Sequence, residues 1–284
     1  MSEINKVAVI GAGTMGAGIA QACASAGNDV MLLDTSEDAR TRGMDTIKSS
    51  LSRVVKKGNI SEDDKAKTLS NITLVGDIDR VKSVDLVIEA VFEDLDVKRE
   101  LWERVDAAAN ENAILASNTS SLSITELASF TSSPERFCGL HFFNPVPVLP
   151  LVEVVRGLQT DEGVLEQATA FIESIGKTPI VCEDKPGFIV NRLLVPYIND
   201  AIHALSEGVA SAEDIDKAMK LGANMPIGPL ALADLVGLDV SLAAGESLYD
   251  AFQDPKFRIA PLLRQMVRAG KLGRKTGEGF YEYE

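Results

Sequence analysis

Two groups of residues in this 284-residue chain have the types and spacing to do chemistry. The first is Gly11, Gly13 and Gly16, with Thr14 and Met15 between them, in a G-x-G-x-x-G run; Asp34 then ends the next apolar stretch. Gly11 permits a tight turn, Gly13 lets the main chain approach a pyrophosphate, and Gly16 lets a helix pack close to a strand. A helix opening there offers free N–H groups and the positive end of its dipole to phosphate. Asp34 can accept hydrogen bonds from a ribose 2′-hydroxyl, whereas a 2′-phosphate would meet like charge. Thr35 and Ser36 follow with no adjacent arginine, so NAD is favoured over NADP. The second group is His141, one of two histidines, and Glu153. Glu153 is a single acid between apolar neighbours, where a carboxylate is costly unless paired. A strand that doubles back would bring it to His141. Read alone, His141 also suits a structural role and Glu153 an exposed place on an edge strand.

The elements that must position these groups are legible in outline. The apolar run 7–10 predicts a buried strand, the glycine turn opens a helix to about residue 26, and 30–33 forms a second strand ending at Asp34. Strand, turn, helix, strand and acid together are the context a dinucleotide site requires. Ser36 is an N-cap for a helix over 37–57, stopped by Gly58 and Asn59. Its basic end, Arg53, Lys56 and Lys57, suits either the helix dipole or an anionic ligand. Ser61 caps a shorter helix. Strands follow at 72–75, 85–90 and 114–117, with an amphipathic helix beginning near Glu93, Asp94 and Lys98. The polar residues 118–121 close the 114–117 strand where ligands bind in an open α/β sheet, and Ser121 or Ser123 also suits a helix cap. Strands 137–143 and 151–155 flank a stiff connector with three prolines. A helix over 161–174 and a strand over 179–182 complete this half. From Pro186 the alternation ceases and the pattern is helical. The 188–205 segment is apolar almost all round, which predicts burial in a core or a subunit interface. Pro196 is expected to kink it, with Asn199, Asp200 and His203 on its polar side. Further helices are expected near 211–221, 230–252 and 260–269.

Composition bounds the reading. Hydrophobic residues are 45% and charged residues 25%, as in ordinary globular domains. A formal net charge of −14 disfavours nucleic acid or an anionic membrane as partner. Three widely spaced cysteines, Cys23, Cys138 and Cys182, form no zinc-type pair, no metal site is expected, and unpaired thiols fit a reducing, cytoplasmic setting. The charged N-terminus reads as no secretory signal, and no apolar stretch reaches membrane-spanning length.

With SNTSSL, GLHFFNP, LVEVV, PGFIVNR, NMPIGPL and LGRKTGEGFYEY added to the glycine fingerprint, the sequence resembles the 3-hydroxyacyl-CoA dehydrogenases, and among them the short-chain bacterial 3-hydroxybutyryl-CoA enzymes. The resemblance runs from Lys6 to Tyr283. It implies an α/β fold, a Rossmann-type doubly wound sheet over 1–185, followed by a small all-helical domain over 186–284 that dimerises and completes the substrate site. It implies reversible oxidation of an (S)-3-hydroxyacyl-CoA by NAD. His141 is then the general base, Glu153 holds its other nitrogen, Ser120 bonds the substrate oxygen, and Asn191 approaches the same oxygen. Glu93, Lys98, Ser120, Asn144 and Lys275 match positions on the nicotinamide-ribose side, and Ser50 and Lys57 match positions that touch CoA. A related dehydrogenase acting on a free hydroxy acid would keep His141 and Glu153 but grip a carboxylate with Arg or Lys.

Overall fold

Apolar, largely β-branched residues make the 7–10 run a strand that can be buried on both faces. It forms β1 (Lys6–Ile10), an inner strand of the sheet in the computed structural model, which describes residues 4–283. The chain continues through α1 (Thr14–Ser25), β2 (Asp29–Leu33), α2 (Glu37–Lys56), α3 (Glu62–Ser70) and β3 (Ile72–Val75). Then come β4 (Leu86–Glu89), α4 (Leu95–Ala108), β5 (Ile114–Ser117), α5 (Ile124–Ala128) and β6 (Phe137–Phe142). β7 (Leu151–Arg156), α6 (Glu162–Ser174) and β8 (Thr178–Glu183) close this unit. The eight strands lie in the order β3-β2-β1-β4-β5-β6-β7-β8. All neighbours are parallel except β6 and β7, which are antiparallel. This is a doubly wound Rossmann-type sheet with its order reversing between β1 and β4, and the crevice at such a switch point takes ligands.

Local signals set the helix ends as the sequence implies. Ser36 accepts from Ala39 N–H at the start of α2, whose last turn carries Arg53 and Lys56 with Lys57 as the following cap. Ser61 and Asp64 form a reciprocal capping box on α3. Ser123, not Ser121, caps α5. The core between sheet and helices is aliphatic, and the fully buried Trp102 meets Phe137 edge-on with ring centroids 4.7 Å apart.

The chain divides into two compact units between Lys185 and Pro186. Asp184, at that boundary, is tied into the first unit: its carboxylate accepts from Ser123 Oγ, Ile124 N–H and Thr125 N–H at 2.7–3.1 Å. The second unit holds α7 (Val190–Ser206), α8 (Ala212–Gly222), α9 (Pro229–Val236), α10 (Leu238–Phe252) and α11 (Pro261–Arg268). Here the structure corrects several expectations. The 230–252 helix is two helices, because Gly237 at φ +106° ends α9 and starts α10. Asn199 is not on a polar face. It is buried, and its amide donates to Arg258 O and accepts from Ala260 N–H, pinning the chain ahead of α11. Phe188 precedes α7 in a positive-φ conformation. α7 itself buries chiefly Ile198, Asn199, Ala201 and Ile202 within the unit, while Leu193 stays 68% exposed. Cys23 and Cys138 are buried, but Cys182 on the edge strand β8 is only half-buried. Among the described residues, no helix is long and apolar enough to cross a membrane, and no cluster of His, Cys, Asp and Glu could hold a metal ion.

Candidate active site

At the carboxyl ends of β1, β2 and β4 lies a cleft of about 950 Å³ lined by Gly11, Gly13, Thr14, Met15 and Asp34. The glycines are required there by contact. Gly11 has φ +103°, and a Cβ on it would stand 2.5 Å from Ala90 O. A Cβ on Gly16 would stand 1.7 Å from Gly11 O, so α1 can cross the turn only on a bare Cα. Gly13 has nothing within 4 Å of where a Cβ would be: that space is open cleft in front of the α1 N-terminus. A bare, open main chain at the end of a twelve-residue helix fits a pyrophosphate. Asp34 Oδ2 accepts from Ala12 N–H and Oδ1 from Ser36 N–H, each at 3.0 Å, which fixes the carboxylate at the cleft edge. Val97, Leu101 and Phe92 also line the cleft, the last 87% exposed.

The first turns of α2 return arginines to this end of the cleft. Arg40 Nη1 donates to Asp34 O, and Arg42 lines the cleft. The absence of an adjacent arginine in sequence therefore does not hold in space.

The contact between His141 and Glu153 is built by strand register. β6 and β7 run antiparallel with His141 directly opposite Glu153. His141 Nδ1 lies 2.6 Å from Glu153 Oε2. Glu153 is wholly buried and His141 nearly so, with Phe143 against the imidazole at 4.4 Å between centroids. β7 is an inner strand, covered by β8, so the edge-strand reading of Glu153 fails. A buried carboxylate on Nδ1 fixes the ring's orientation.

Ser120 sits at the carboxyl end of β5, exposed, in a loop held from below. Glu93 Oε1 accepts from Thr119 Oγ1, from the N–H of Ser120 and Ser121 at 3.1 and 3.2 Å, and from Ser121 Oγ at 2.9 Å. Its other oxygen is 3.1 Å from Lys98 Nζ. Desolvation opposes ionisation of Glu93, but the Lys98 ammonium and the two hydroxyls outweigh it and hold the carboxyl below its usual range. Lys98 is not in the cleft: it is 1% exposed, enclosed behind Glu93 and bonded at 2.6 Å to a second acid, Glu89. Sequence reasoning passed over Glu89, which reads as one more residue of an apolar strand.

The remaining candidates lie on other segments of the chain. Asn144 is exposed just after β6. Ser50 and Lys57 are on and just after α2, outside the cleft lining. Asn191 is half-buried in the first turn of α7, and Lys275 pairs with Asp239 at 2.5–2.6 Å; both belong to the second unit.

Comparison with known proteins covers both units. Residues 6–185 match the family profile of the 3-hydroxyacyl-CoA dehydrogenase NAD binding domain, and residues 187–283 match that of the C-terminal domain. A 3-hydroxybutyryl-CoA dehydrogenase of Bradyrhizobium diazoefficiens is 50% identical over 280 residues, 99% of this chain and 96% of that protein. One from Clostridioides difficile is 48% identical, covering 98% of this chain and 99% of that protein. The crystal structure of (S)-3-hydroxybutyryl-CoA dehydrogenase from Ralstonia eutropha superposes with a TM-score of 0.96 at 52% identity, over 99% of this chain and all of that one. With the glycine cleft in the first matched domain and both domains matched along their length, the chain belongs to the 3-hydroxyacyl-CoA dehydrogenase family and carries its NAD-binding domain.

Proposed function

We propose that the protein interconverts (S)-3-hydroxybutyryl-CoA and acetoacetyl-CoA, with His141 and Glu153 as the acid–base pair. The observation that carries this reading is the 2.6 Å contact between His141 Nδ1 and a fully buried Glu153 across the β6–β7 register. NAD, when bound, accepts the hydride from C3 of the hydroxyacyl chain, and NADH returns it in the reverse direction. The chain's own residues manage the proton. With Nδ1 held by Glu153, Nε2 is the nitrogen that takes the C3 hydroxyl proton as the carbonyl forms, and returns it in reduction. The Glu153 carboxylate holds the ring in place for that transfer. Ser120 donates to the substrate oxygen from the loop that Glu93 clasps, and Asn191 carries the family's second contact to that oxygen. Gly11, Gly13, Thr14, Met15, Gly16 and Asp34 hold the dinucleotide, with Glu93, Lys98, Asn144 and Lys275 serving its nicotinamide half directly or through neighbours. Ser50 and Lys57 serve the CoA portion, where Lys57 supplies charge for phosphate.

The relatives named for the four-carbon CoA substrate support both the chain length and the thioester. The second unit leaves Leu193, Val209 and Leu221 68–76% exposed, and we assign these positions to a homodimer interface. Three free thiols suit a reducing cytoplasm. The test is NADH oxidation with acetoacetyl-CoA against free acetoacetate. Turnover of the thioester, lost in His141→Ala, supports the proposal; equal turnover of both ketones overturns it.

A further inference from the structure

The loop that carries Ser120 is secured by a buried charge that touches neither the cleft nor solvent. Glu89 ends β4 and is wholly buried, which is costly for a carboxylate without full compensation. Its Oε1 accepts from Lys98 Nζ at 2.6 Å and from Val91 N–H at 2.8 Å; its Oε2 accepts from Ser117 Oγ at 2.6 Å. Two routes lead from it to one segment. Lys98 bridges Glu89 to Glu93, whose Oε1 clasps Thr119, Ser120 and Ser121. Ser117, oriented by Glu89, accepts from Thr119 N–H at 3.2 Å. Both routes converge on residues 119–121 from beneath.

The arrangement has a reason in charge. Lys98 alone would be an uncompensated buried cation, and Glu93 alone would draw its lysine outward. Two acids on one ammonium leave Lys98 no alternative position, so Glu93 is presented with one oxygen committed and the other turned to the loop. We propose that Glu89 is a positioning residue: through Lys98 and Ser117 it sets the placement of the Thr119–Ser121 main chain and thereby of the Ser120 hydroxyl. This rests on the reading of Ser120 as a substrate contact. Displacing a reacting contact by about 1 Å can cost on the order of 100-fold in rate.

The test is a double-mutant cycle with a structural readout on the full-length protein. Glu89→Gln keeps the shape and removes the charge. Its kcat with acetoacetyl-CoA and NADH is expected to fall by roughly 10-fold or more, with the NADH dissociation constant, read by fluorescence, within about threefold of the parent. Amide hydrogen exchange over residues 117–123 is expected to accelerate by about 10-fold while the β6–β7 pair keeps its protection. In a Ser120→Ala background, the Glu89→Gln loss should shrink by about fivefold or more, since residues acting through one contact are not additive. If Ser120→Ala lowers kcat but the Glu89→Gln loss persists undiminished in that background, the positioning role is wrong and the Ser120 contact stands. If Ser120→Ala has no effect on kcat, the substrate contact itself is wrong. Unchanged loop exchange in Glu89→Gln overturns the proposal on its own. Should Glu89→Gln fail to fold, Ser117→Ala, which cuts one route only, is expected to speed exchange at Thr119 and lower kcat several-fold; no change in either refutes the network.

Discussion

Replacing Asp34 by alanine perturbs cofactor choice at a single carboxylate whose geometry is fixed. Its two oxygens accept from Ala12 and Ser36 N–H at 3.0 Å and face the cleft. A hydrogen bond to a charged group contributes about 1.5–3 kcal/mol, so loss of the ribose contact predicts a fall in kcat/KM for NAD of about 10- to 150-fold. For NADP the sign reverses. A unit charge pair at about 4 Å costs on the order of 4 kcal/mol at an effective dielectric of about 20, and about half of that for a half-exposed group, so removing the acid gains about 30-fold. Arg40 and Arg42, already at that end of the cleft, add attraction for a 2′-phosphate. The NAD-to-NADP ratio of kcat/KM should therefore shift by roughly three orders of magnitude. The assay is reduction of acetoacetyl-CoA with each reduced cofactor, alongside thermal unfolding, because the variant also loses two main-chain contacts. A lowered Tm with an unchanged ratio would mean that Asp34 merely braces the turn, and would refute the ribose assignment.

Three further outcomes follow from the same geometry. Gly13→Ala should fold normally, since the residue has φ −72° and open space around it, yet weaken NADH binding by about 10-fold or more; Gly16→Ala should instead lower Tm, its Cβ colliding with Gly11 O at 1.7 Å, and calorimetry with fluorescence titration separates the two. Because the folded state holds the Glu93 carboxyl below its ordinary value of 4.5, the unfolded state binds more protons in that window; this stability is present above about pH 4.5 and lost as pH falls through the lower folded value. Glu93→Gln should flatten that acid limb of Tm against pH, and an identical limb in both proteins contradicts the assignment. Leu193→Asp together with Leu221→Asp should convert a dimer to monomer in sedimentation velocity, and a monomeric parent protein would remove the dimer.

Much of this was written locally in the chain. The glycine turn, its flanking strands and Asp34 are contiguous, and their roles follow from backbone sterics. His141 and Glu153 could be paired because the short connector between two apolar strands allows the second to return along the first. What local pattern could not reveal depends on distant partners. Glu89 is explained only by Ser117 and Lys98, brought to it by parallel pairing of β4 with β5 and by the descent of α4. Asn199 looks polar by helical spacing, yet is buried because residues 258–260 fold across it. Lys98 resembles a cofactor contact by position, whereas its neighbours turn it into the interior. The break at Gly237 is the exception: a glycine inside a helical run was a visible signal, and its positive φ is what ends the helix.

Single-turnover oxidation of NADH by acetoacetyl-CoA, compared among the parent protein, His141→Ala and Glu153→Gln with NADH affinity measured in parallel, tests the acid–base pair most directly. The account predicts that His141→Ala slows the chemical step by about 100- to 10,000-fold and Glu153→Gln by at least about 100-fold, both with NADH binding intact. A hydride-transfer rate within a few-fold of the parent in either variant would contradict it.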